Sequence, residues 1–189
     1  MHKIQKLAVA FLAAVAIPAI VQAATIGGVQ YATQYDFNEF RQATDGKTFR
    51  VEMFGNPFPS MAADDTARRL LPVMQAVKPR PNLAFTYDKP AEKRRPDYRL
   101  MIVFDPARDL GADSVCSGAM RLTPPTPGRV YVYGVYCRKD LALSQTTAWV
   151  DGASPEDPHV RELFSQLFRT LFDDSPARLP HIGGGAGRQ

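Results

Sequence analysis

Hydrophobic and polar residues alternate most cleanly from Thr48 to Phe54, where Phe49, Val51 and Met53 interleave with Arg50 and Glu52. A period of two places the apolar set on one face of a strand. Gly55-Asn56-Pro57 ends it, because Pro57 has no N–H to give to a ladder. The period then lengthens: Ala63, Ala67, Leu70, Leu71, Met74 and Val77 recur at helical spacing. Ser60 is the expected N-cap, and Asp64 and Asp65 lie near the positive end of the helix dipole. Pro72 falls inside this pattern and removes one i→i−4 bond, which predicts a kink or a break into two pieces. Pro79 and Pro81 end the helix.

Leu83, Phe85 and Tyr87 alternate with Ala84, Thr86 and Asp88, a second strand, and Lys89 to Pro96 is a charged loop bracketed by prolines. A third strand spans Asp97 to Asp105; it is apolar on both faces and therefore expected at the centre of the sheet. Pro106 to Gly128 is a long connection that carries Cys116. Val130 to Cys137 and Leu141 to Val150 read as a hairpin of fourth and fifth strands. Ser154-Pro155-Glu156-Asp157 then has the grammar of a helix start: a capping Ser, Pro at the first helical position and acids behind. Val160, Leu163, Phe164, Leu167, Phe168, Leu171 and Phe172 follow at helical spacing, while Arg161, Glu162, Gln166 and Arg169 take the other face.

The order β-α-β-β-β-β-α predicts an α+β, two-layer sandwich: a mostly antiparallel sheet of four to five strands with two helices on one face. The first β-α-β crossover is expected to be parallel where its strands are neighbours. The chain divides into a signal peptide (1–23), an N-terminal extension of unassigned conformation (24–46), a single α+β domain (47–174) and a flexible tail (175–189) that holds Gly183-Gly184-Gly185-Ala186-Gly187. That glycine run follows no strand and opens no helix, so it is not a dinucleotide loop.

The signal peptide rests on Lys3 and Lys6 in a basic start, an uncharged apolar stretch from Leu7 to Ile17, and Val21-Gln22-Ala23 before a cut at Ala24. A membrane anchor is the alternative, but the apolar run is interrupted by Pro18 and falls short of the roughly 20 residues that span a bilayer. Processing changes the charge balance. The full chain of 189 residues carries 23 basic and 19 acidic residues. Loss of Lys3 and Lys6 leaves 21 basic residues against 19 acids, a net of +2. That is too small an excess for a nucleic-acid binder, and export argues against one as well. The expected location is the periplasm or the exterior. There the two cysteines, Cys116 and Cys137, are expected to be oxidised to one disulfide. A metal site would need further ligands at ligand spacing, and His2, His159 and His181 are scattered.

Catalytic signatures are absent from the pattern. There is no Gly-x-Ser-x-Gly elbow, Walker loop, His-Glu-x-x-His or calcium loop. The paired acids Asp64-Asp65 and Asp173-Asp174 have ordinary explanations at helix ends, and His159 falls on the polar side of a first turn. No catalytic residue, cofactor or metal is assigned. Two partner surfaces stand out. One is the basic cluster of Lys89, Lys93, Arg94, Arg95 and Arg99, suited to an acidic partner or anionic headgroups; its alternative is a solvated loop. The other is Tyr131 and Tyr133, which share a face of the fourth strand. If that face turns away from the helices they form an aromatic surface for a protein or glycan; if not, they are core.

Gly55-Asn56-Pro57-Phe58 after the first strand, Pro96-Asp97-Tyr98-Arg99-Leu100 opening the third, and the closing helix from Phe164 to Phe172 carry a resemblance. With this element order, the chain resembles small α+β exported proteins of unknown function from proteobacterial envelopes. Many such proteins are lipoproteins, whereas this sequence has no cysteine at the cut to accept a lipid. The resemblance implies no catalytic residues. The expected function is that of an exported, non-enzymatic domain that binds or supports another envelope component. The alternative is a periplasmic hydrolase built on Asp64, Asp65 or His159, which requires a concave pocket that joins two of them.

Overall fold

The computed structural model describes residues 23–89 and 98–176. The elements are β1 (Thr25–Ile26), β2 (Gln30–Tyr31), α1 (Phe37–Thr44), β3 (Thr48–Phe54), α2 (Ala63–Ala76), β4 (Ala84–Thr86), β5 (Tyr98–Phe104), α3 (Ala112–Cys116), β6 (Arg129–Arg138), β7 (Leu141–Asp151) and α4 (Pro158–Leu171). One sheet of seven strands runs in the order β1-β7-β6-β5-β3-β4, and β2 also pairs with β7. Strand β3 is parallel to both β4 and β5, while β5, β6, β7, β1 and β2 are joined by antiparallel pairings.

The α+β class holds, but the expected mostly antiparallel sheet of four to five strands with two helices is corrected. The sheet is mixed, has seven strands among the described residues, and is accompanied by four helices. The parallel part follows from the first crossover, since α2 returns the chain so that β4 runs in the direction of β3. The extra strands come from residues 25–31, where β1 and β2 together form one interrupted edge against β7. A pair of two-residue strands is too short to show a period, which is why the pattern in that region is silent.

Strand β5 lies between β6 and β3 and is buried on both faces, as its unbroken apolar run requires. On one face Leu100, Ile102 and Phe104 join Phe49, Val51, Val130, Val132 and Tyr136 beneath α1, α2 and α4. All six stripe residues of α4, Val160, Leu163, Phe164, Leu167, Phe168 and Leu171, are fully buried there. Each contributes about 1.5–3 kcal/mol of transfer free energy before entropy is charged against it. On the other face Met101, Val103, Tyr133, Val135 and Cys137 form a smaller core with Leu110, Ala112, Val115 and Cys116, supplied by α3 and its approach.

Helix starts differ in detail from the expected ones. Helix α4 is capped by Asp157, whose carboxylate accepts the His159 N–H at 2.9 Å, with Pro158 in the first turn. The Asp-Pro pair thus repeats the grammar of Ser154-Pro155 three residues later. Helix α2 begins after Ala62 with no side-chain cap. Asn56 organises that entry instead: it donates to the Met61 carbonyl at 2.8 Å and accepts from the Thr66 hydroxyl at 3.0 Å. Helix α2 runs unbroken through Pro72. Both Pro72 and Arg68 are exposed, so the carbonyl deprived of its partner can turn to water while Leu70 and Met74 hold the helix to the sheet.

The N-terminal segment is tied to the end of the fold. Tyr31 donates its hydroxyl to the Thr170 carbonyl, and Tyr35 donates to the Asp173 carbonyl at 2.7 Å. The Ser144 hydroxyl donates to the Leu171 carbonyl at 2.7 Å. Two carbonyls in the last turn of α4, Thr170 and Leu171, which have no partner within the helix, and that of Asp173 just beyond it are therefore satisfied from outside.

Candidate functional site

Alternation along β6 sends Arg129, Tyr131, Tyr133, Val135 and Cys137 to the face opposite α4. The disulfide between Cys116 and Cys137, with Cα atoms 5.6 Å apart, fixes α3 over the Cys137 end. Arg99, the cross-strand neighbour of Cys137, reinforces this by donating to the Cys116 carbonyl and by pairing with Glu52 at 3.2 Å. Tyr133 comes next and is buried, its hydroxyl bonded to Gln145, which in turn donates to Gln30. Burial pushes the Tyr133 phenol up to about 12, so it remains a neutral donor. The Arg129 end of the same face stays open.

At that open end Tyr131 is half-buried and lies opposite Trp149 of β7. The Arg129 guanidinium sits over the Trp149 ring, 4.6 Å from its centroid, and its Nε is 3.4 Å from an Asp151 oxygen. Thr25 of β1 borders Trp149 on its other side. The result is a surface of Tyr, Trp and Arg with the guanidinium placed over the indole ring and beside a carboxylate.

Of the two tyrosines singled out in the sequence, Tyr131 thus belongs to an open surface and Tyr133 to the second core. Arg129 and Trp149 were missed. Counting back from the turn at Lys139-Asp140 sets Ala148 opposite Tyr131. A β-bulge at Tyr136/Cys137 moves the register by one residue and brings Trp149 there instead. The signal in the sequence was Trp149 itself, the single tryptophan, on a strand otherwise rich in Ser, Thr and Gln. Arg94 and Arg95 lie outside the described residues.

The acidic and histidine candidates are dispersed. From Val51 onward β3 is paired only on the β5 side, among the described residues. A groove of about 840 Å³ beside this edge takes Asp64 together with Glu52, Ala67, Arg68 and Tyr87, but neither Asp65 nor His159. Asp65 pairs with Arg68, and His159 Nδ1 rests 3.2 Å from its capping partner Asp157. Among the described residues no group of three or more His, Cys, Asp or Glu is placed to hold a metal ion. No helix among them is long and apolar enough to cross a membrane.

No family model matches the chain, and no curated protein matches it. Among solved structures it is similar to the dodecamer of a PelC point variant from Paraburkholderia phytofirmans, at 10% sequence identity and a TM-score of 0.40. The likeness covers 79% of this chain and 96% of that one.

Proposed function

We propose that this protein is an exported, non-enzymatic domain, periplasmic or secreted, that binds another protein of the cell envelope through the Arg129–Tyr131–Trp149 surface. The signal-like residues 1–23 and the disulfide support export, since such a bridge persists in oxidising compartments. The observation that carries the binding role is the open patch itself. Tyr, Trp and Arg are the residue types that dominate interface energetics, and here a bidentate-capable guanidinium is already ordered against an indole. Ordering before binding lowers the entropic cost of association.

The test is affinity capture from an envelope extract with wild-type protein and with Arg129→Glu and Tyr131→Ala variants, followed by identification of the retained species. A protein held by the wild type and lost by both variants supports the reading. Retention by both, or loss only on charge reversal at Arg94 and Arg95, moves the partner surface to the basic cluster. Capture of a polysaccharide instead of a protein replaces the partner class. Fractionation of producing cells checks export independently: an intact, cytoplasmic chain with residues 1–23 attached overturns it.

A further inference from the structure

A second feature lies on the helix side of the sheet. One side of α1, the loop after α2 and the end of α4 line an open cleft of about 440 Å³. Its apolar surfaces are rings: Phe37, Pro79, Pro81 and Phe172. Phe172 is buried and stacks on Phe40 with centroids 4.3 Å apart, which makes that part of the cleft rigid. Arg41, Arg80 and Arg169 line the same space, one from each of the three segments.

Placement in a last helical turn suits Arg41 and Arg169 electrostatically. It does not account for Arg80, nor for the lack of pairing. Arg69, Arg121, Arg129 and Arg138 each pair with an acid. Arg41, Arg80 and Arg169 form no ion pair among the described residues, although Asp173 and Asp174 border their cleft. Asp173 is held in place: its carbonyl accepts from Tyr35, and its carboxylate accepts the Ser175 N–H at 3.0 Å.

We propose that this cleft binds a sugar acid, a polyhydroxylated ring with a single carboxylate, either free or as a residue of an acidic glycan. Each part of the ligand has a matching part of the cleft. Guanidinium forks take a carboxylate with two parallel hydrogen bonds. Ring faces such as Phe37 and Pro81 suit the apolar C–H face of a sugar. The Asp173 and Asp174 carboxylates accept hydrogen bonds from hydroxyls and repel a multiply charged phosphate, which separates this ligand from a simple anion. The volume is within the usual range for small-ligand sites. The inference is independent of the Trp149 surface, which faces the other side of the sheet.

The test is calorimetric titration of the purified exported protein with glucuronate, an oligogalacturonate, a neutral gluco-oligosaccharide and inorganic phosphate. Binding of either acidic sugar, weakened about tenfold or more by Arg80→Ala and by Arg169→Ala, is expected, because charge-assisted hydrogen bonds are the strong ones. Asp174→Asn is expected to weaken the acidic sugar, by loss of a hydroxyl acceptor, and to relax the exclusion of phosphate. Glucuronate alone or the oligomer alone identifies a free acid or a polymer as the source. The proposal is overturned by equal binding of the neutral oligosaccharide, by phosphate that competes on equal terms, by arginine variants that bind unchanged, or by no binding of either acid. Unchanged melting temperatures in the three variants, all at exposed positions, keep a loss of binding from being a loss of fold.

Discussion

Asp105 follows β5 with a φ of 47° and is 7% exposed, and its Oδ2 has no hydrogen-bond partner among the described residues. Burial raises its carboxyl from 3.8 to about 6. The folded protein therefore holds this proton more tightly than the unfolded chain. Below the unfolded value both states are protonated and nothing is lost; between the two values the unfolded chain releases its proton while the fold retains it, so stability falls with pH and the loss is complete once pH passes the folded value. At about 1.4 kcal/mol per unit the full cost near neutrality is about 3 kcal/mol.

Asp105→Asn removes the ionisation and keeps a residue tolerant of positive φ. The backbone bonds at this site, from Asp105 N to the Tyr131 carbonyl at 3.0 Å and from Thr123 N to the Asp105 carbonyl at 2.7 Å, remain available. Burying the new amide offsets about 1 kcal/mol, so the net gain is about 1–2 kcal/mol at neutral pH. The assay is urea unfolding followed by the emission of the single tryptophan. The advantage of the variant is expected to be about 2 kcal/mol larger at about pH 7.5 than at about pH 4. A variant less stable than wild type at neutral pH, or one whose advantage does not change with pH, refutes the account of Asp105 as an unpaired buried acid.

Replacing Cys116 and Cys137 together by Ala opens a loop of sequence separation 21 and is expected to cost about 3 kcal/mol on the chain-entropy account, read as a lower urea midpoint; a midpoint within error of wild type contradicts this. Gly55→Ala is expected to destabilise by about 2–4 kcal/mol, because φ is +80° there and the new Cβ meets the Phe104 carbonyl oxygen at 2.7 Å; calorimetry would show a clear fall in Tm. Tyr35→Phe removes the hydroxyl bond to the Asp173 carbonyl and is expected to cost about 1 kcal/mol. Hydrogen exchange should then rise at the end of α4 before it rises in the sheet; uniform protection across the chain would argue against the cap.

Elements with many turns or repeats of one period were legible in the sequence. The α4 stripe spans 160–172 and each position reinforces the others, so the helix and its buried face follow from spacing alone. The two-sided apolar run of β5 likewise fixed its place inside the sheet. Short elements were not legible, because two residues in β1 or five in α3 offer no period to read. Helix α1 did leave a trace: Asp36 caps it by accepting the Asn38 N–H at 2.7 Å, and Phe40 is its buried anchor. The candidate surface was half legible. Tyr131 came from alternation within β6, but its pairing with Trp149 depends on a bulge, which neither strand announces by composition. The arginine cleft is assembled from three segments distant in sequence, so no local pattern could show it.

The partners of the N-terminal segment set an order of events during synthesis. Gly27 bonds to Thr147, Tyr31 to Thr170 and Tyr35 to Asp173, so residues 27–35 dock on residues made more than a hundred positions later. Early in translation the β1–β2 segment has nothing to close against, because its ladder partner β7 lies more than a hundred residues further along the chain. Contacts of such long sequence separation slow folding. In a nascent chain of this kind the N-terminal segment waits for α4, and the arrival of that helix decides when Tyr31 and Tyr35 are tied down.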